Sequence, residues 1–538
     1  MPMSPRRPAP RLLTALLLAG LAFGAGAQSE IRLPDLGSSA NALISPQQAR
    51  DYGAAMFRQM RALNMVVNDP LLDAYINNLG FRLVAACAKP RDHFAFFIVR
   101  SSEINAFSAL GGYIGINSGL ILLAQNESEL AAVMAHEIGH VTQDHLQRAY
   151  EAAKKDTPLM ALVALGAIAA GAATDGQAAA ATLVGGQGLL EQKQINFTRR
   201  DEAEADRAGI QTLANAGFDP YAMAEFLQRM QNALSTGSGG EDVPALLQDH
   251  PVTTERISDA KARARQLLAE RKLIPSGAAL DNAQLANVTA PIPFVKNLAD
   301  LLPAHPARDS LDTFLLMRER VRVLANDPQQ ELRYYAANFA RQHGFDTPWN
   351  RYGYALALTL TGNGARAVAE LQPVLAAHPG NMILRLAMAD ARVQAGQRAQ
   401  ALAIYHELDA ESPHNLAIDL AYAKALTEGG SKAQAAQAAA LLRPLLADTD
   451  EPGIYTAYAR ASDKAGDTER AGEAYADASY LSGRPFDAMQ QLERLLKRPD
   501  LDYYARARIQ GQLAQLIPLV MELRKLRIDT PDNPDDND

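Results

Sequence analysis

Apolar residues recur at three- and four-residue spacing from about Pro46 to Lys89, most clearly in LLDAYINNLGFRLVAACA, and this spacing predicts helix. The pattern then switches. HFAFFIVR (93–100) is aromatic and β-branched, a strand by composition. In NAFSALGGYIGINSGLILL (105–123), Gly111-Gly112 turns the chain, YIGI forms a short strand, and Gly119 opens an apolar helical run. Asn126 caps a further helix, and Glu129 three residues on completes a capping-box pattern. Segment 156–190 is nearly all Ala, Gly and Leu, broken at Thr174-Asp175-Gly176. Each half falls short of the ~20 residues that cross a bilayer. It reads as a small-residue helical hairpin packed on the core or as a mobile apolar lid; a membrane-surface anchor is the rival. RRDEAEADRAGIQTLANAGFDP (199–220) predicts helix as far as Gly217, YAMAEFLQRMQNAL another, STGSGGED a loop, and LLQDHPVTTERISDAKARARQLLAERK one more helix.

Beyond a Pro- and Ala-rich linker at 273–308 the chain repeats itself. Gly362, Gly396 and Gly430 stand 34 apart; Ala367, Ala401 and Ala435 keep the same step, as do Pro379 and Pro413. Thirty-four residues with small residues at helix crossings and a closing proline is the tetratricopeptide signature, a stack of helix pairs with a concave face for a partner. Gly466 follows Gly430 by 36, so the third unit is stretched by two. The expected organisation is a signal peptide at 1–27, a catalytic domain at 45–272, the linker, a tetratricopeptide-repeat solenoid at 309–515 and an acidic tail at 516–538. The fold class is mainly α, with a small β-sheet in the first domain.

Composition alters this picture little. The chain has 538 residues, 48% apolar, with net charge −8, which gives no basic face for nucleic acid. Arg6, Arg7 and Arg11 precede an apolar run from Leu12 to Phe23, and Ala25-Gly26-Ala27 has the form of a signal-peptidase site. This predicts export, with cleavage after Ala27. Cys87 stands alone, so no disulfide framework is expected; it reads as a buried structural cysteine rather than a catalytic thiol.

AVMAHEIGHVTQDH (132–145) carries the chemistry. Four residues apart on a helix, His136 and His140 project from one face, where two neutral imidazoles can bind one zinc ion and Glu137 can take a proton from an attacking water. Ala131 to Ala135, Ile138 and Gly139 surround them with small apolar side chains, which predicts a buried helix. A buried helix does not carry such polar groups without a partner. A catalytic zinc takes three protein ligands and keeps one position open. The longer pattern ending G-x-x-H fails at Gln143 and Leu146; His145 is off by one and is assigned to the polar face. In DEAEAD, Glu202 and Asp206 share one helical face, one to bind metal and the other to accept from a ligand imidazole, while Glu204 points elsewhere.

With HEIGH, EAEAD and NAFSALGGYIGINSGL, residues 45–265 resemble the gluzincin metalloproteases of the HtpX and CAAX-prenyl-protease type. The resemblance implies Glu202 as third zinc ligand and Asp206 behind it. It is nearest to a periplasmic branch without transmembrane helices, which joins the protease to C-terminal tetratricopeptide repeats. That branch implies outer-membrane protein quality control: degrading stalled β-barrel proteins and helping others mature at the assembly machinery, which the repeats would contact. LLQDHPVTTERI resembles the family's H-P-x-T-x-x-R-I segment. His250 is thereby a displaceable fourth ligand or an oxyanion donor, and Arg256 a weaker oxyanion candidate or an exposed helix-start arginine. GGYIGI would be the sheet edge on which an extended substrate adds as a strand. A chaperone-like adaptor with a rarely used metal site is the rival to the enzyme.

Overall fold

The computed structural model describes residues 44–91, 93–148, 199–236, 250–272 and 311–525. The signal-peptide stretch, the 156–190 hairpin and the linker lie outside the described residues. The N-terminal part contains helices α1 (Pro46–Ala62) and α2 (Pro70–Ala86), strands β1 (Ala95–Val99), β2 (Ala106–Ser108) and β3 (Tyr113–Asn117), then α3 (Ser118–Leu123), α4 (Glu127–Thr142), α5 (Arg199–Asn215), α6 (Ala222–Thr236) and α7 (Thr254–Lys272). Helix α2 begins where Asp69 accepts from the Leu72 amide, with Pro70 at its first turn. It buries Leu72, Ile76, Leu79 and Leu83 along one face. Gly80 lets it press on the sheet, for a Cβ there would stand 2.4 Å from the Phe96 ring.

The sheet order is β1-β3-β2, with β1 parallel and β2 antiparallel to β3. YIGI is therefore the central strand, contrary to its expected place at the edge. Its two neighbours take both rows of its backbone groups. The outer edge nearest the histidine helix belongs to Ala106–Ser108, which packs on α4, while Val66 bridges to Val99 on the far side. The capping box also differs. Asn126 does accept from Glu129, but the Glu129 carboxylate turns to the Gln125 amide at 2.8 Å and to Arg229.

The C-terminal part is a helical repeat: α8 (Thr313–Ala325), α9 (Pro328–Arg341), α10 (Pro348–Leu360), α11 (Gly364–Ala377), α12 (Met382–Gln394), α13 (Arg398–Glu411), α14 (Leu416–Thr427), α15 (Lys432–Leu442), α16 (Pro452–Ala465), α17 (Thr468–Leu481), α18 (Pro485–Leu496) and α19 (Tyr503–Lys525). Successive helices pack as in an α-solenoid. Ala367, Ala401 and Ala435 are fully buried at the crossings. Gly362 and Gly396 take the left-handed turn with φ of 80° and 75°, but in the third unit Gly429 takes it instead of Gly430. The extra two residues fall beyond α15, where Pro444 turns the chain into a 3-10 segment from Arg443 to Asp448. Residues 516–525, expected in the acidic tail, continue α19 because Leu516 and Val520 are buried. No helix among the described residues is long and apolar enough to cross a membrane.

The two parts share one apolar core that runs from α2 and α4 into the repeat helices. Polar clamps reinforce it. Arg320 of α8 makes a two-pronged pair with Asp69, both oxygens at 2.6 Å, and Arg61 of α1 reaches Glu451 at 3.2 Å.

Within the solenoid, Asp419 is fully buried, and burial together with Asp409 pushes its carboxyl up to about 8 from an ordinary 3.8. The folded state thus holds a proton that the unfolded chain releases, so this group costs stability progressively as pH rises from about 4 to about 8. Asp419→Asn is expected to raise stability at pH 8.5 by at least about 1 kcal/mol and to change little near pH 4. Thermal melts of both proteins across this range check it.

Candidate metal centre

Helices α4 and α5 cross at a seam of very small residues. A Cβ on Gly139 would stand 3.0 Å from the Ala205 carbonyl oxygen, and one on Gly209 3.1 Å from the His136 amide nitrogen. The glycine of HEIGH and the alanine of EAEAD therefore bring the two helices close enough for their polar side chains to meet. Gly139→Val is expected to force them apart, at a cost of about 1–3 kcal/mol. It should also weaken metal retention, which chelator competition would measure.

Across the seam the structure brings together His136, His140, Glu202 and His250, all buried. His136 Nε2 lies 3.0 Å from His140 Nε2, 3.5 Å from Glu202 Oε2 and 3.4 Å from His250 Nδ1. Glu202 Oε1 lies 3.4 Å from His140 Nε2 and 2.8 Å from His250 Nδ1. Ligands about 2.0–2.1 Å from a tetrahedral ion are spaced by roughly 3.3 Å, so these separations fit one small divalent cation held by nitrogen and oxygen donors.

The surrounding groups set the protonation. His136 Nδ1 lies 3.0 Å from Asp206 Oδ1. Burial alone would lower His136, yet Asp206 and Glu202 push it up to about 10. Burial would raise Glu202, but His250 and His136 hold it well below the usual carboxylate range. His140 is pushed well below the ordinary histidine value by burial and by the neighbouring imidazoles. The cluster thus holds one anionic carboxylate and a neutral His140, and the proton on His136 is one that a bound cation would displace.

Glu137 is fully buried beside the cluster, with Oε1 3.8 Å from His250 Nε2. Burial raises its pKa, against the pull of His250 and His136. Among the described residues neither carboxylate oxygen has a well-aligned hydrogen bond, although Ser108 on the edge strand β2 lies alongside. A buried carboxylate without a firm partner, facing both a cation site and a strand edge, is placed to move a proton.

Two expectations change. Arg256 is neither exposed nor aimed at a substrate: Nη1 contacts Glu202 Oε2 at 2.7 Å, and Nε and Nη2 grip Asp206 at 2.7 and 2.8 Å. The sequence could not show this, because the turn at Pro251 folds α7 back across α5; Arg256 Nη1 also donates to the Pro251 carbonyl at 2.9 Å. His145 is not on a polar face. It is buried, with Nδ1 2.9 Å from His140 Nδ1. Glu204 does point away from the cluster, but towards His145 and Arg148. Cys87 is half-buried at the end of α2, and its thiol is pushed up by burial, which is not the environment of a nucleophile.

A helix bearing His-Glu-x-x-His against a carboxylate from a second helix is the arrangement of gluzincin metallopeptidases, and residues 70–264 match the model for peptidase family M48. The chain is 44% identical over 261 residues to the beta-barrel assembly-enhancing protease of Yersinia pestis, covering 48% of this chain and 53% of that protein. Against the protein of the same name from Escherichia coli K12 the figures are 42% over 259 residues, 47% and 52%. The metalloprotease LoiP of that strain is 28% identical over 170 residues, 31% of this chain and 61% of LoiP. The chain spans about half the length of the beta-barrel assembly-enhancing proteases it matches.

Proposed function

We propose that this chain is a zinc-dependent endopeptidase of the periplasm that degrades misassembled β-barrel outer-membrane proteins and assists the assembly of others. The observation that carries the reading is the buried quartet of His136, His140, Glu202 and His250, at ion-binding separations, beside the poorly satisfied Glu137. The names of the relatives point to β-barrel assembly. The arginine-rich apolar N-terminus supports export, and the 34-residue period supports a tetratricopeptide scaffold that recruits substrate or the assembly machinery.

His136, His140 and Glu202 would hold the zinc, which supplies Lewis acidity and acidifies a water molecule. Asp206 orients His136, and Arg256 fixes both carboxylates so that Glu202 presents its oxygens to the histidines. Glu137 accepts a proton from the attacking water and returns it to the leaving amine. An extended peptide adds along the outer edge of Ala106–Ser108, which pairs with no further strand among the described residues, and this brings its backbone beside Glu137 through Ser108.

His250 Nδ1 lies 2.8 Å from Glu202 and 3.4 Å from His136, so it would be a displaceable fourth ligand of the zinc. This closure also supports a second reading, a chaperone-like adaptor whose protease site is latent. His250→Ala is expected to cut casein several-fold faster than wild type at equal zinc content. Slower cutting would make His250 an oxyanion donor instead. Removing zinc with a chelator should abolish cleavage, and cleavage that survives would overturn the enzyme reading.

A further inference from the structure

His145, five positions beyond His140, has no place in the mechanism above, yet it is 1% exposed and its Nδ1 lies 2.9 Å from that of His140. A neutral imidazole carries one N–H and one lone pair, so of two facing ring nitrogens one donates and the other accepts. His140 turns its Nε2 towards His136 Nε2 at 3.0 Å and Glu202 Oε1 at 3.4 Å. A nitrogen that gives its lone pair to an ion bears no proton, so the proton of His140 is on Nδ1. His145 Nδ1 must accept it. The proton of His145 is then on Nε2, which lies 3.4 Å from Glu204 Oε2 and 3.8 Å from Asp201 Oδ1. Both carboxylates are themselves held, each 3.0 Å from Arg148 Nη2, with Arg200 Nε 3.3 Å from Glu204.

We propose that His145 is a positioning residue for the metal centre, fixing the tautomer and ring direction of His140 and relaying to it the pull of Glu204 and Asp201. This rests on His136, His140 and Glu202 being the ligand set. Ligand histidines usually give their second N–H straight to a carboxylate, a backbone carbonyl or a water. Here an imidazole stands between.

The same proton count disposes of a competing use of this cluster. His145, Asp201 and Glu204 are close enough to hold an ion of their own. An ion on His145 Nε2 would drive the proton to Nδ1, where it would meet the N–H of His140, and Arg148 and Arg200 already pair with the two carboxylates. The cluster is a support for the first site and not a second one.

Two substitutions separate this role from simple packing. In His145→Asn the carboxamide oxygen falls near the old Nδ1 and can accept from His140. In His145→Leu the volume is filled and nothing accepts. Zinc loss to a competing chelator is expected to be about 10- to 100-fold easier from the leucine variant, with the asparagine variant within about threefold of wild type. A leucine variant that holds zinc like wild type, or an asparagine variant as leaky as leucine, overturns the proposal. A wild-type chain that takes up no zinc would instead overturn the ligand set itself. Should the leucine variant fail to fold, nitrogen-15 spectra of the histidine rings in the zinc-loaded wild type decide: His145 protonated on Nε2 is expected, and protonation on Nδ1 refutes it.

Discussion

Glu137→Gln is expected to slow peptide cleavage by about 10²- to 10⁴-fold while leaving zinc content unchanged. The amide keeps the shape and volume of the side chain in a site where it is wholly buried, so packing is undisturbed. What it removes is the basic oxygen. Burial raises the Glu137 carboxyl, and the flanking His250 and His136 pull it back, which leaves a group able both to take a proton and to give it up. Because a neutral amide escapes the desolvation borne by the carboxylate, the variant should melt no lower than wild type. Digestion of casein and metal content, measured on both proteins, check the prediction. Cleavage that persists undiminished, together with normal clearance of misassembled barrels in cells, would leave only the adaptor reading.

The largest effect on stability is expected away from the metal. Asp69 has two duties: it caps α2 through the Leu72 amide, and it pairs through both oxygens with Arg320 of α8. Arg320 is buried, and the carboxylate of Asp69 and the hydroxyl of Tyr352 at 3.0 Å hold it charged against that burial. Asp69→Ala strands the guanidinium in the core and removes the cap, for a loss of about 3–5 kcal/mol. Asp69→Ala combined with Arg320→Met should recover a large part of this, because the cost lies in the uncompensated charge and not in the missing attraction. Denaturant unfolding of the two variants distinguishes these outcomes; a single variant as stable as wild type would show that water reaches the pair.

The metal cluster was largely legible because its information is local. His136 with His140, and Glu202 with Asp206, lie at a helical spacing that fixes each pair on one face before any tertiary contact forms. The apolar setting of the first pair and the family resemblance then joined them. His145 was missed for a specific backbone reason. On an unbroken helix a residue five positions on points about 140° away. The helix ends at Thr142, and Asp144, at φ 56°, takes the left-handed conformation that turns His145 back to His140. Asp144 also pairs with Arg91, a partner more than fifty residues earlier. Arg256 was misread for a similar cause, since its two carboxylate partners lie about fifty residues upstream and a loop sets the approach. Strand order escaped as well. The aromatic and β-branched composition of FFIV and the short run YIGI mark strands, but which lies in the middle depends on the parallel register of Ala95 with Tyr113. In the repeats, period alone located the turns to within one residue: Gly429 takes the left-handed turn, while Gly430 is needed for close approach, since a Cβ there would stand 1.9 Å from the Leu426 carbonyl oxygen.

The grip of α1 on the far end of the solenoid constrains how a nascent chain reaches its final form. Arg61 meets Glu451, Arg58 lies 5.0 Å over the Tyr480 ring, and the Arg58 carbonyl leaves room only for a glycine at position 483. A polypeptide made from its N-terminus therefore completes α1 some four hundred residues before its last supports exist. Until residue 483 has emerged, its first arm waits without a dock, and the finished shape is a late event in the life of each molecule.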